Sequence, residues 1–255
     1  MIARRQLLTG ALGTGGLVGL AGCDRLTETP QAARVIDAVN WLDRRLQRAL
    51  CGGPALAREY APSAISAEFR ANGSTGVDDP DYLRMAEDGF SSWRLRVGGL
   101  VARTLSLSLS DLRAMPARTQ ITRHDCVEGW SCIGQWTGVR LAHVLALAGV
   151  QSGARYVVFR CPDTLERALD GSGRYYESID LVDAAHPQTI LAYEINGAPL
   201  PIAHGAPLRL RVERQLGYKM AKFVMRIELV DSFAELGRGK GSFWADRGYA
   251  WYAGI

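Results

Sequence analysis

Hydrophobic positions recur along this chain with two different periods. Between Pro30 and about Leu50, the residues Val35, Val39, Leu42, Leu46 and Ala49 fall at helical spacing, with Arg44, Arg45 and Arg48 on the other side, which predicts an amphipathic helix. Gly52-Gly53-Pro54 punctuates its exit. Beyond Ala61-Pro62 the period shortens to two. Residues 93–97 and 104–109 alternate apolar and polar side chains as strands do, and Gly98-Gly99 between them predicts a hairpin turn. Ser110-Asp111 is expected to cap a short helix that Pro116 closes. A strand near 120–123 follows, then a helix over 139–148 ended by Gly149, then a strand over 155–160. The C-terminal half reads mostly as sheet, with strands at 189–194, 208–212 and 223–230 and a tight turn at Asn196-Gly197. The pattern predicts an α+β fold, mainly antiparallel, with short helices between strands and no internal repeat.

Composition narrows the class. The 255 residues are 47% hydrophobic, enough for one good core and far from a disordered composition. Basic residues number 30 against 26 acidic, and removing residues 1–22 takes away only Arg4 and Arg5, leaving 28 against 26. So mild a balance argues against nucleic acid as a partner. Arg4-Arg5 ahead of a modest, glycine-rich apolar run reads as a twin-arginine signal for export of a folded protein. That run falls short of the roughly twenty apolar residues a membrane span requires. Leu20-Ala21-Gly22-Cys23 matches a lipobox, which would make Cys23 an acylated first residue, and Asp24 after it points to the outer face of the inner membrane. The expected organisation is a signal over 1–22, a lipid-anchored spacer over 23–60 and one folded domain over 61–255. The basic helix of the spacer suits either a solvated face or a bed of anionic headgroups.

The chemistry concentrates in His124-Asp125-Cys126-Val127-Glu128-Gly129-Trp130-Ser131, where a thiol sits between a strand-like run and a glycine turn. A lone cysteine is usually a small buried hydrophobe. Its polar and aromatic flanks, with Trp136 further on, are instead what a site gripping a flat heterocycle uses. The segment resembles the metal-ligating stretch of the sulfite oxidase family of molybdopterin enzymes, and the resemblance runs from about Ala64 to the end. It implies a sulfite-oxidase-type molybdopterin-binding fold, with Cys126 as the thiolate ligand of molybdenum. His204-Gly205-Ala206-Pro207-Leu208-Arg209 is similar to the family's pterin-binding turn, which implies cofactor contacts from His204 and Arg209. Gly217-Tyr218-Lys219-Met220-Ala221-Lys222 is similar to the segment that holds the pterin phosphate through backbone and lysine, implying Met220, Ala221 and Lys222. Phe69-Arg70-Ala71-Asn72-Gly73 and Cys161-Pro162-Asp163 resemble two further contact regions, implying Arg70, Asn72 and either Asp163 or Cys161. Taken singly, His204 and Arg209 would pass for turn and strand residues, and Lys219 and Lys222 for solvated edge charges.

The tail 243–252 carries five aromatics where disorder is the default. Tyr249 follows Trp244 at the spacing of the family's active-site tyrosine, so the tail is expected to fold over the metal with the Tyr249 hydroxyl donating to the reacting oxygen. Two departures bear on the reaction. Sulfite-oxidising members place an arginine shortly after the cysteine, whereas Glu128, Gly129, Trp130 and Ser131 stand here, and a carboxylate repels sulfite. Cys-Val-Glu-Gly-Trp-Ser resembles more closely the branch that reduces protein methionine sulfoxide. There is no C-x-x-C-H haem motif and no room for the family's dimerisation domain, so electrons are expected from a membrane cytochrome or quinol-linked donor. The implied function is reduction of an S-oxide or N-oxide, small or protein-borne; the alternatives are sulfite-type oxidation and a non-catalytic periplasmic binding lipoprotein. Of the remaining cysteines, Cys132 and Cys161 are expected to pair. A zinc site of His124, Cys126, Cys132 and Cys161 is a rival, but one without the usual close ligand pairs.

Overall fold

The computed structural model describes residues 29–51, 55–166, 168 and 173–255, in two compact units, 1–51 and 52–255. The export signal, the lipobox and Cys23 lie outside the described residues. In the first unit, α1 (Pro30–Cys51) occupies the predicted span, and its first turn is tied by the Ala32 N–H donating to Thr29 Oγ1 at 3.2 Å. Among the described residues, no helix is long and apolar enough to cross a membrane.

The second unit is built on two five-stranded sheets. One runs in the order β2 (Leu105–Leu107), β1 (Leu95–Gly99), β10 (Arg226–Val230), β5 (Tyr156–Thr164), β6 (Arg174–Asp180), and is antiparallel except for the β1–β10 pair. The other is antiparallel: β3 (Ala117–Asp125), β4 (Ser131–Arg140), β7 (Ile190–Ile195) and β8 (Ala198–Pro199), with β9 (Arg209–Arg211) also pairing β7. One hydrophobic cluster takes side chains from both sheets, among them Leu95, Val139, Val158, Tyr193, Leu210 and Ile227. Short helices α2 (Pro80–Glu87), α3 (Leu109–Ala114), α4 (Leu141–Ala148) and α5 (Leu181–Ala185) fill the connections. The architecture is the expected α+β.

Several local expectations are corrected. Gly98-Gly99 is no turn but the end of β1, where a Cβ on Gly99 would collide with the Leu229 carbonyl of the parallel neighbour; the glycine serves close strand approach. Strand β2 stops at Leu107 because Ser108 leaves it to cap α3, with Asp111 completing a capping box. The helix expected from 139 begins at Leu141, since Val139 and Arg140 pair with Leu191 and Ile190. Gly149 does close it, at φ 70°. Asn196-Gly197 forms the predicted two-residue hairpin turn, both with positive φ. Cys132 lies on β4 and Cys161 on β5, in different sheets, and both are free thiols. The expected disulfide is absent.

Candidate functional site

The ligand-type cysteine owes its place to a strand end. Strand β3 stops at Asp125, and a turn closed by the Gly129 N–H on the Cys126 carbonyl and by the Cys126 N–H on the Trp130 carbonyl returns the chain into β4. Gly129 takes φ 85° in that turn. The thiol is 9% exposed and lines a cavity with Val127 and Glu128. Burial pushes its pKa up, against a backbone hydrogen bond from Glu128 that lowers it. A thiolate here therefore needs a cation beside it, which a bound metal would supply.

Distant segments meet at the same cavity. Asn72, Gly73 and Ser74 come from the loop before α2, Asp163, Leu165 and Tyr175 from the β5–β6 hairpin, and Gly217, Tyr218, Met220 and Lys222 from the stretch before β10. Trp244 and Tyr249 come from the tail. Lys222 is the knot: its Nζ donates to the carbonyls of Asn72 and Ala203, each at 2.8 Å, and to that of Ser74. Ser74 Oγ donates in turn to Asp163 Oδ2 at 2.5 Å. Gly205, at φ 101°, packs so close to Lys222 that a Cβ would strike its side chain. Arg209, fully buried, donates from Nη1 to the His204 carbonyl at 3.0 Å, so the His204–Arg209 turn abuts the same group.

Of the residues expected at the site, Cys126, Asn72, Asp163, Met220, Lys222 and Tyr249 line the cavity. His204, Arg209 and Ala221 are not among its lining residues but adjoin Lys222, which is. Arg70 is placed elsewhere: it is exposed, 5.1 Å over the Trp130 ring and 4.0 Å from Glu128 Oε2, at the rim beside Glu128. Sequence reasoning passed over a second group. Arg211 grips Glu213 with Nε and Nη2 at 2.8 and 2.6 Å and meets His124 Nδ1 at 3.0 Å, while Gln120 Nε2 donates to Glu213 at 2.9 Å. A guanidinium only donates, so His124 Nδ1 accepts and its proton sits on Nε2. Burial first, then Arg211, Arg209 and Lys222, pull the His124 pKa down to about 2, so the ring is neutral. On another side, Lys219 is buried in an ion pair with Glu177, and the Tyr175 hydroxyl donates to the Tyr218 carbonyl at 2.6 Å, bracing the 217–219 turn. The alternation of Gln120, Thr122, His124 and of Arg209, Arg211, Glu213 was the available signal, polar residues at strand spacing on an inward face.

The charges test whether a phosphate-bearing cofactor fits. Among the described residues neither Arg209 nor Lys222 has a carboxylate at ion-pair distance, although both are buried. Burial, then Arg211, lowers Arg209 to about 9; burial, then Arg209, lowers Lys222 to about 7. Arg209 Nε and Nη2, His204 Nδ1, His124 Nε2, Asn72 Oδ1 and Asp163 Oδ1 are buried without a partner. Desolvated cations and orphaned polar atoms cost free energy unless a ligand completes them, and an anion with hydrogen-bonding edges does so. Gly217 adds a steric signature, since a Cβ there would collide with the His124 ring. The residues fit the group.

Fold and cavity thus define a protein whose buried, unpaired cations and orphaned polar atoms suit a large anionic, polar cofactor. Residues 83–235 match the model of the oxidoreductase molybdopterin binding domain, and the chain belongs to that family, the sulfite oxidase family. It is a molybdopterin-dependent oxidoreductase. A protein of Azospira oryzae named as a candidate protein-methionine-sulfoxide reductase subunit, YedZ1, is 36% identical over 252 residues, 99% of this chain and 88% of that one. The protein-methionine-sulfoxide reductase catalytic subunit MsrP of Xanthomonas axonopodis pv. citri is 36% identical over 169 residues, 63% of this chain and 52% of its own length. The chain therefore spans about half of the MsrP relative. The sulfane dehydrogenase SoxCD from Paracoccus pantotrophus superimposes with a TM-score of 0.49 at 24% identity, over 56% of this chain and 39% of that chain.

Proposed function

We propose that this protein is an exported, lipid-anchored reductase of S-oxides or N-oxides, with the Cys126 thiolate as its molybdenum ligand. The observation that carries the reading is the cavity wall itself: Cys126 shares it with Glu128, Trp244 and Tyr249, and its cationic lining residue, Lys222, lies in the segment that resembles the family's phosphate holder. Arg70, at the rim, faces Glu128 rather than standing free. A wall bearing a carboxylate disfavours a sulfite anion and tolerates a neutral S-oxide. The names of the relatives point the same way.

The cofactor, when bound, supplies two-electron redox chemistry at its metal. Lys222 and Arg209 are the groups that would hold its phosphate, with Asn72, Asp163, His204, Met220 and Ala221 contacting the rest. The Tyr249 hydroxyl donates to the substrate oxygen as that oxygen gains negative charge. The apolar faces of Val127, Trp244 and Leu165 exclude water around it. Overall the sulfoxide takes two electrons and two protons and leaves as sulfide and water. The electrons come from a membrane cytochrome or quinol-linked donor, which an anchor at Cys23 on the outer face of the inner membrane would keep within reach.

Purified cofactor-loaded protein decides the direction. With a reduced viologen dye as donor it should reduce methionine sulfoxide, dimethyl sulfoxide or trimethylamine N-oxide. Failure on all three, together with oxidation of sulfite by an acceptor dye, would reverse the reading.

A further inference from the structure

Two segments that line the cavity are joined outside it by one ion pair. The β5–β6 hairpin contributes Asp163, Leu165 and Tyr175, and the tail contributes Trp244 and Tyr249. Glu166 follows Leu165, and Arg247 closes the 3-10 turn Ala245–Arg247 just before Tyr249. Arg247 Nε donates to Glu166 Oε1 at 2.7 Å and Nη2 donates to Oε2 at 2.5 Å, a two-pronged fork across 81 residues of sequence. Arg247 is itself fixed, its guanidinium 3.5 Å over the buried Phe243 ring and its Nη1 donating to the Phe243 carbonyl at 3.0 Å.

Tyr249 sits between that turn and a stretch held by the Tyr218 hydroxyl donating to the Ala250 carbonyl at 2.7 Å and by Trp251 Nε1 donating to Ser178 Oγ at 2.8 Å. It is 39% exposed and held by its N–H on the Trp244 carbonyl at 3.1 Å and by ring contacts with Trp244 and Tyr218 at 5.1 and 5.3 Å. The turn that carries it is pinned on one flank by Asp246, which accepts from the Tyr176 hydroxyl at 2.6 Å and the Arg238 N–H at 3.0 Å. The other flank is pinned by Arg247. The Glu166 side chain is 53% exposed, so the pair contributes little to folding stability; what a fork adds is orientation.

We propose that Arg247 and Glu166 are positioning residues, a clasp that fixes the tail bearing Tyr249 against the β5–β6 hairpin and so sets the geometry of the reacting cavity. The inference rests on the reading of Tyr249 as the donor to the reacting oxygen. Two readouts test it on cofactor-loaded Glu166→Gln, with Arg247→Lys as the variant that keeps charge and loses the fork. Amide exchange at Gly248 and Tyr249 should quicken while β5 and β10 stay unchanged, and kcat/KM for methionine sulfoxide with reduced viologen should fall about fivefold, the scale of a half-exposed ion pair. Molybdenum content and Tm should match the wild type. Unchanged exchange would overturn the clasp, and so would faster exchange with unaltered kcat/KM. Should the wild type reduce no sulfoxide, the proposed reaction fails by itself, and exchange at Gly248 and Tyr249 still decides whether the clasp exists.

Discussion

Lys222 shows how a single side chain reports what the site was made for. Its ammonium lies among three carbonyls with Arg209 nearby, and burial with that neighbour depresses its pKa from 10.5 to about 7. Between those values the unfolded chain binds a proton that the fold does not. Stability of cofactor-free protein should therefore rise from pH 7 to pH 9, by up to about 1.4 kcal/mol per pH unit, in urea unfolding. Lys222→Met should flatten that slope, and so should bound cofactor, whose phosphate favours the charged ammonium. At Tyr249 the test is kinetic: Tyr249→Phe should lower kcat for a sulfoxide about tenfold while metal content holds, since one hydrogen bond to a charged oxygen is lost. Cys126, Lys222 and Asn72 were legible in the sequence because each belongs to a local motif. Arg211, Glu213 and Gln120 were not, because their network with His124 exists only once β3 and β9 are brought into one sheet, with Trp136 of β4 beneath Arg211.

Glycine explains most of what the element scale concealed. Strand β4, which no expectation covered, carries Gly134 and Gly138; a Cβ at Gly134 would crowd the Phe69 ring and one at Gly138 would collide with the Leu191 carbonyl, where β4 and β7 change register. Gly138→Ala should accordingly destabilise the protein by about 1–3 kcal/mol in urea unfolding, by forcing β4 from β7. A smaller change would mean that the strands yield at that bulge. Strand β6 was hidden for another reason: six of its seven residues are buried, on both faces, so no alternation marks it. The strands that could be read, β2, β7 and β10 among them, alternate in sequence or are bounded by turn residues. Sequence patterns thus missed β6, whereas β7, buried almost as fully, was marked by the Asn196-Gly197 turn that follows it.

At the scale of the whole molecule, the cavity is a convergence of loops from both sheets around buried Lys222, with Arg209 beside it and, among the described residues, neither in an ion pair. Inorganic phosphate should stabilise cofactor-free protein through Arg209 and Lys222, raising Tm in a concentration-dependent way, and Arg209→Met should abolish the effect. The fold class was legible, and so was the convergence of Cys126, Asn72, Asp163, Met220, Lys222 and Tyr249 on one cavity, since the family motifs are separated along the chain but ordered within it. The rim position of Arg70 and the Glu166–Arg247 clasp were not, because exposed ion pairs leave no periodic trace. The central claim is that the Cys126 sulfur holds molybdenum beside this charged wall. X-ray absorption at the molybdenum edge, on wild type and Cys126→Ser, tests it most directly. The account predicts that the variant loses one sulfur from the metal's coordination shell; an identical sulfur count in the two proteins would contradict it.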